Sequence, residues 1–202
     1  RERGAEIRTN AEVAHIMVRN GTVQGVALAD GTEIRAPRVA SGADANVTFL
    51  RLMDASDLPA DFLDAVRHID YASASCKINI ALSELPDFTA VPGTSPGPQH
   101  RGTIHISPTM EYIERAYDDA KYGRPSAQPI IEATIPSALD DTLAPRGQYV
   151  MSMFTQYFPY NLAPGLSLEA EKDKYADRCF DLMNQFAPNF KRWVIARQVL
   201  SP

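Results

Sequence analysis

Glu12-Val-Ala-His-Ile-Met-Val-Arg-Asn-Gly-Thr-Val-Gln-Gly-Val-Ala-Leu-Ala-Asp-Gly-Thr-Glu-Ile-Arg-Ala36 carries the strongest local signal in the chain. Asn20-Gly21 and Asp30-Gly31 both read as two-residue hairpin turns, because these residue types tolerate the positive φ that such turns require. They divide the stretch into strands over Glu12–Arg19, Thr22–Ala29 and Thr32–Ala36, a three-stranded meander. Outward from it, Glu6–Thr9 reads as a short preceding strand. Arg38–Ser41 reads as a following one, running into the small residues Ser41, Gly42 and Ala43.

Beyond the meander the period changes. Asp44 to Met53 is patterned as a helix, and Pro59 opens a second helix in which Phe62, Leu63 and Val66 share a face. Ser73–Leu82 reads as a strand, and the Pro- and Gly-rich segment Pro86–Gly102 as an irregular surface loop. Thr103–Ile106 is a short strand. Ser107-Pro108 supplies an N-cap and first-turn proline for a helix that Gly123 and Pro125 stop. Pro129–Ile135 and Gln148–Tyr157 are β-rich, and Ser167 begins a long amphipathic helix with Ala176, Phe180, Met183 and Ala187 at helical spacing. Trp193–Leu200 reads as a last strand. Strands and helices alternate irregularly and without repeats, which predicts an α+β fold with a mixed sheet and flanking helices.

The 202 residues, 45% hydrophobic and 22% charged, are enough for one sizeable core or two small ones. A formal net charge of −5 without clustered Lys or Arg argues against nucleic acid and anionic lipid as partners. The longest uncharged stretch, Gly147–Leu168, is broken by Pro159, Pro164 and several amides, so no transmembrane helix is expected. The opening Arg-Glu-Arg-Gly lacks the apolar stretch of a signal peptide. Cys76 and Cys179 each sit in an apolar pattern and read as buried free thiols, which fits a reducing compartment. The scattered His15, His68, His100 and His105 predict no metal site.

Two motif matches dissolve on inspection. Gly93-Thr-Ser-Pro-Gly97 fits the G-x-S-x-G hydrolase pattern, but Pro96 lacks the N–H that would serve as oxyanion donor. Asn46-Val-Thr48 matches a glycosylation acceptor and reads instead as a polar turn into a helix. No G-x-G-x-x-G occurs, so the residues by themselves show no dinucleotide fingerprint. Lys77 is the notable charge, placed inside an apolar strand on the face of Ser75 and Asn79. Its common use is a side chain reaching to water, and its sharper use is a cation beside a cofactor. The aromatic run Phe154–Tyr160 suits either core packing or the wall of an apolar substrate cavity, with Tyr157 and Tyr160 as its polar anchors.

Gly4-Ala-Glu-Ile-Arg-Thr-Asn-Ala-Glu-Val-Ala-His-Ile16, the meander, and Arg38-Val-Ala-Ser-Gly-Ala-Asp44 together resemble the interior of the phytoene dehydrogenase-like flavoproteins of the amine oxidase superfamily. Ile135-Pro-Ser-Ala-Leu-Asp-Asp-Thr-Leu-Ala-Pro-Arg-Gly147 is similar to that family's P-S-x-x-D-P-x-L-A-P-x-G stretch, with Asp141 where proline is usual. Thr155-Gln-Tyr157 and Pro159-Tyr160 place the resemblance nearest the branch of the pyridine nucleotide-disulphide oxidoreductase domain-containing proteins, and it covers essentially the whole chain.

The resemblance implies an internal fragment of an FAD-dependent oxidoreductase. Residues 1–47 are expected to be the β-meander part of a truncated FAD/NAD(P)-binding domain, and 48–202 a substrate-binding domain. It implies that the backbone of Val13 meets the FAD adenine, that Ser41, Gly42 and Ala43 pass close to the cofactor, and that Lys77 acts catalytically by holding a water against the flavin. Hydride would pass from a largely apolar small-molecule substrate to FAD. The chain lacks the glycine-rich phosphate-binding unit, so the fragment alone is expected neither to retain FAD nor to be catalytically competent. The alternative is a non-catalytic binding or assembly module. Apolar faces left open by the truncation predict a homodimer. The expected compartment is the bacterial cytoplasm, or the mitochondrion for a eukaryotic source.

Overall fold

A computed structural model describes residues 4–202. Residues 1–3, where the expected 1–47 segment begins, lie outside the described residues. The chain forms two compact units, Arg1–Tyr71 and Ala72–Pro202.

In the first unit β1 (Val13–Arg19), β2 (Thr22–Leu28) and β3 (Glu33–Arg35) form the meander in the order β1-β2-β3, antiparallel throughout. The first turn is the two-residue one expected, with Arg19 opposite Thr22 and both Asn20 (φ 52) and Gly21 (φ 70) left-handed. The second turn is one residue longer. Leu28 N–H donates to the Thr32 carbonyl, Gly31 takes φ 87, and the Asp30 carboxylate accepts from Thr32 N–H, so three residues make the bend. Gly25 in β2 has φ 135, and a Cβ there would lie 2.1 Å from the Ile34 carbonyl oxygen. Only glycine lets the β2 backbone come that close to β3.

The strands expected at Glu6–Thr9 and Arg38–Ser41 do not form. A strand exists through its ladder, and no described strand pairs with either segment. The helical segments do form: a π-helical turn at Val47–Arg51 and α1 at Ala60–Arg67, which follows Pro59. Leu63 and Val66 of α1 are buried, whereas Phe62 lies at the rim and packs edge-to-face on Phe49 at 4.9 Å.

The second unit contains β4 (Ser75–Leu82), the short α2 (Pro98–Arg101), β5 (Ile104–Ile106), α3 (Met110–Lys121), β6 (Ile130–Thr134), β7 (Tyr149–Gln156), α4 (Leu168–Phe186) and β8 (Val194–Leu200). The sheet order is β5-β6-β7-β4-β8. The α+β class is as expected, but every recorded pairing is antiparallel rather than mixed. Alternation of strand and helix in sequence does not fix strand direction, because a connecting helix can return the chain to either end of a sheet. The cap of α3 is Thr109, whose hydroxyl accepts from Tyr112 N–H, two residues beyond the expected Ser107. Its C-terminus falls at Lys121, followed by Gly123 at φ 70.

One face of this sheet is closed. Cys76, Ile78, Ile80 and Leu82 of β4, Met151 and Met153 of β7, and Ile131 and Ala133 of β6 join one core with Tyr175, Ala176, Cys179, Phe180 and Met183 of α4. Those α4 positions follow the i, i+1, i+4, i+5, i+8 rhythm of a helix stripe laid on a core. Each large apolar side chain so buried contributes about 1.5–3 kcal/mol. The core is therefore what holds α4 against the sheet.

Candidate functional site

Strand alternation decides what the opposite face shows, since successive side chains point to opposite sides. In β4 the even-numbered residues from Cys76 to Leu82 are buried and Ser75, Lys77, Asn79 and Ala81 are not. The ladder registers carry this outward: Lys77 pairs with Phe154 of β7 and Leu200 of β8, Phe154 with Glu132 of β6, and Glu132 with His105 of β5. One row, His105–Glu132–Phe154–Lys77–Leu200, thus crosses all five strands on the open face. A second row beside it is polar. There the Asn79 amide donates to Gln198 Oε1 at 3.2 Å, and the Ser152 hydroxyl reaches Asn79 Oδ1 at 3.5 Å.

Phe154 and Leu200, on either side of Lys77, each keep 44% of their surface exposed. Glu132 is occupied by His105, Oε1 to Nε2 at 3.6 Å. The Lys77 ammonium makes no hydrogen bond or ion pair among the described residues. An ammonium with three free donors between two open apolar side chains is the chemical content of this face.

The aromatic run after Lys77's partner strand is divided. Phe154 lies on the open face, while Phe158 is buried and packs edge-to-face on Tyr175 at 5.3 Å. Tyr157 packs against Tyr117 of α3 with the rings tilted by 57° and their centroids 5.3 Å apart. Tyr160 is largely exposed and lines, with Tyr117, Lys121 and Asn161, a cavity of about 340 Å³. Lys77 is not among that cavity's lining residues. Tyr157 is held by Ser126: the buried hydroxyl accepts from Tyr157 N–H at 2.9 Å and donates to the Ala116 carbonyl at 2.6 Å, and Ser126 N–H donates to the Tyr157 carbonyl. Sequence reading missed Ser126, because nothing local marks a serine that bridges α3 to the end of β7.

In the first unit Val13 opens β1 opposite Leu28. Ser41 and Ala43 line a second cavity of about 430 Å³ with Ile16, Val39, Thr48 and Phe49. The Ser41 and Thr48 hydroxyls bond at 2.8 Å, and Thr48 also donates to the Ala43 carbonyl. A Cβ on Gly42 would meet nothing within 4 Å. The three small residues thus leave open space beside a self-satisfied hydroxyl pair.

The remaining candidates have structural roles. His100 is buried, with Nε2 donating to the Pro86 carbonyl at 2.8 Å and Nδ1 accepting from Gly97 N–H. Gly93–Gly97 is a loop rather than a strand-turn-helix elbow. Cys76 and Cys179 are buried free thiols, and burial pushes the Cys76 thiol up to about 11 and that of Cys179 higher still. Among the described residues, no group of three His, Cys, Asp or Glu is placed to hold a metal ion, and no helix is long and apolar enough to cross a membrane.

Two solved structures share this architecture. An oxidoreductase from Methanosarcina mazei matches over 100% of this chain and 39% of its own, with a TM-score of 0.52 and 21% identity. A protein from Pyrococcus furiosus matches over 94% and 36%, with a TM-score of 0.51 and 18% identity. In sequence, the chain is 45% identical over 206 residues to mouse pyridine nucleotide-disulfide oxidoreductase domain-containing protein 2, covering 99% of this chain and 36% of that protein. It is 26% identical over 205 residues to the chloroplastic prolycopene isomerase of Daucus carota, covering 100% and 30%. A 50-residue segment is 48% identical to a phytoene desaturase of Cereibacter sphaeroides. No family model matches the chain. These alignments bear out the resemblance read from the sequence, and the chain spans about a third of the length of the mouse and carrot relatives and 10% of that of the desaturase.

Proposed function

We propose that this chain is part of an FAD-dependent oxidoreductase, in which the open face of the five-stranded sheet receives a largely apolar substrate and Lys77 serves the redox centre. The observation that carries this reading is the unpaired Lys77 between Phe154 and Leu200 on a sheet whose other face is sealed by α4. A bare sheet face with a cation and no counter-ion is poor structure and useful chemistry. The 45% identity to an oxidoreductase domain-containing protein supports the same class.

The residues present fit part of an FAD molecule only. Val13 offers a strand-end backbone, and Ser41, Gly42 and Ala43 offer a small-residue passage with room at Gly42. Among the described residues no glycine-rich turn offers a phosphate cradle, so the chain by itself is expected to hold FAD weakly or not at all. Flavin, when bound, supplies the hydride acceptor. The residues of this chain supply the surroundings: Phe154 and Leu200 remove water from an apolar substrate, and Lys77 Nζ holds a water and presents positive charge where negative charge develops. We also propose that the chain self-associates as a homodimer through its exposed apolar residues, and that residues 1–47 and 48–202 correspond to the cofactor and substrate domains of the longer protein.

The test is FAD affinity, by absorbance and fluorescence titration, for this chain beside the longer protein. FAD held by the longer protein alone is the expected result, and Lys77→Ala in that protein should slow flavin reduction about 10²-fold. Absence of FAD from both would end the oxidoreductase reading and favour a binding or assembly module.

A further inference from the structure

The flank of α4 beside its core stripe carries Arg178, Leu182 and Gln185, positions that i, i+4, i+7 spacing brings onto one side of the helix. They line a cavity of about 330 Å³ that the reading above does not use. Its facing wall comes from the end of the β5–β6 pair. The register that sets Ile106 opposite Ile131 carries these strands on to Pro108 and Pro129, and both prolines line the cavity. The site therefore lies on the side of the sheet that α4 seals, opposite Lys77.

The bonds of Arg178 turn it towards that wall. Its Nη1 donates to the Pro125 carbonyl at 3.3 Å, just ahead of Ala127, Gln128 and Pro129, which line the cavity, and its guanidinium lies 5.7 Å from the Tyr175 ring centroid. Arg178 Nε is buried without a partner. Among the described residues no carboxylate pairs with Arg178. Asp181, the acidic residue at the cavity, is already held by Lys191 Nζ. A half-buried guanidinium without a counter-ion has lost water and gained little in return. An anion that completes its planar fork offsets that desolvation.

The remaining walls set the rest of the ligand. The Tyr112 hydroxyl donates to the Pro129 carbonyl at 2.7 Å, which ties α3 to the facing wall and fixes its shape before a ligand arrives. Pro108, Pro129, Leu182 and Phe186 supply apolar surface, and Phe186 stays 42% exposed, so the core does not consume it. The Gln128 and Gln185 amides have no protein partner among the described residues and can donate to a carboxylate oxygen. A volume at the lower end of small-molecule sites admits a single ring.

We propose that this cavity binds a small monocarboxylate with a one-ring apolar body, the carboxylate on the Arg178 fork and the ring against Pro129, Leu182 and Phe186. The probes are benzoate and its neutral isostere benzamide, titrated into the 202-residue chain and followed by NMR chemical shifts. Saturable benzoate binding is expected, with benzamide at least about tenfold weaker because the charge-assisted pair is lost. Arg178→Gln should weaken benzoate by about tenfold, and Arg178→Lys, which keeps the charge and loses the planar fork, by less. Thermal melts check that each variant folds, and the ligand pair on the parent chain needs no variant. Lack of saturable benzoate binding, equal affinity for benzamide, or parent-like benzoate affinity in folded Arg178→Gln would each overturn the proposal. Should Arg178→Gln fail to fold, parent-like affinity in Arg178→Lys would do the same.

Discussion

Replacing Ser126 by alanine removes one hydroxyl and leaves two backbone groups short of a partner. Tyr157 N–H loses its acceptor outright, because its bond at 2.9 Å goes to Ser126 Oγ. The Ala116 carbonyl loses a donor at 2.6 Å but keeps a place in the α3 ladder, so its loss is smaller. A buried donor left unsatisfied costs about 1–3 kcal/mol and a lost neutral hydrogen bond about 1 kcal/mol. Alanine leaves almost no cavity, which puts the total at roughly 2–3 kcal/mol, a large share of the 5–15 kcal/mol typical of a folded protein. Urea unfolding followed by the fluorescence of the sole tryptophan, Trp193, reports on the second unit that contains Ser126. The expected result is a lower midpoint with an unchanged slope. A loss below about 0.5 kcal/mol would refute the assignment of Ser126 as the bridge that positions Tyr157.

Gly25→Ala should destabilise the first unit by at least about 1–3 kcal/mol, because it combines φ 135 with a Cβ pressed on the Ile34 carbonyl; a thermal melt equal to that of the parent chain would contradict the close β2–β3 approach. Stability should fall at alkaline pH. Burial raises the Cys76 thiol to about 11 and the Tyr112 hydroxyl to about 12, so both contributions are complete below the ordinary values of 9.0 and 10.0 and are lost as pH rises through the raised ones. Melting temperatures that stay flat from pH 9 to 11 would count against the burial of both groups. Sedimentation at two concentrations should show a dimer, and a mass of one chain at both would remove the homodimer proposal.

The relation between sequence and structure differs from element to element. Asn20-Gly21, Gly123 and Ser167 act through their own backbone preferences or side-chain caps, so their turn, stop and N-cap were legible from a few neighbouring residues. The alternation in the expected strand Ser73–Leu82 likewise put Lys77 on one face with Ser75 and Asn79, and that is the face the core leaves uncovered. The same local rules misplaced the start of α3 at Ser107, since Thr109 offers an equivalent cap two residues on and packing chooses between them. They also expected strands at Glu6–Thr9 and Arg38–Ser41, where β propensity is present but a partner is not.

Residue preferences within a few positions, the hydrophobic period and the caps were determined by the sequence alone: the meander, the long α4, the α+β class and the strand face that carries Lys77. What stands beside Lys77 was decided by tertiary structure. Strand direction, the order β5-β6-β7-β4-β8 and the one-residue register that sets Phe154 and Leu200 against it depend on hydrogen bonds between segments far apart in the chain. The same holds for the Ser126 bridge and for the cavity between the 127–129 segment and the Arg178 flank of α4. Contacts of that kind are selected by the free energy of the whole packed core, which no window of neighbouring residues contains.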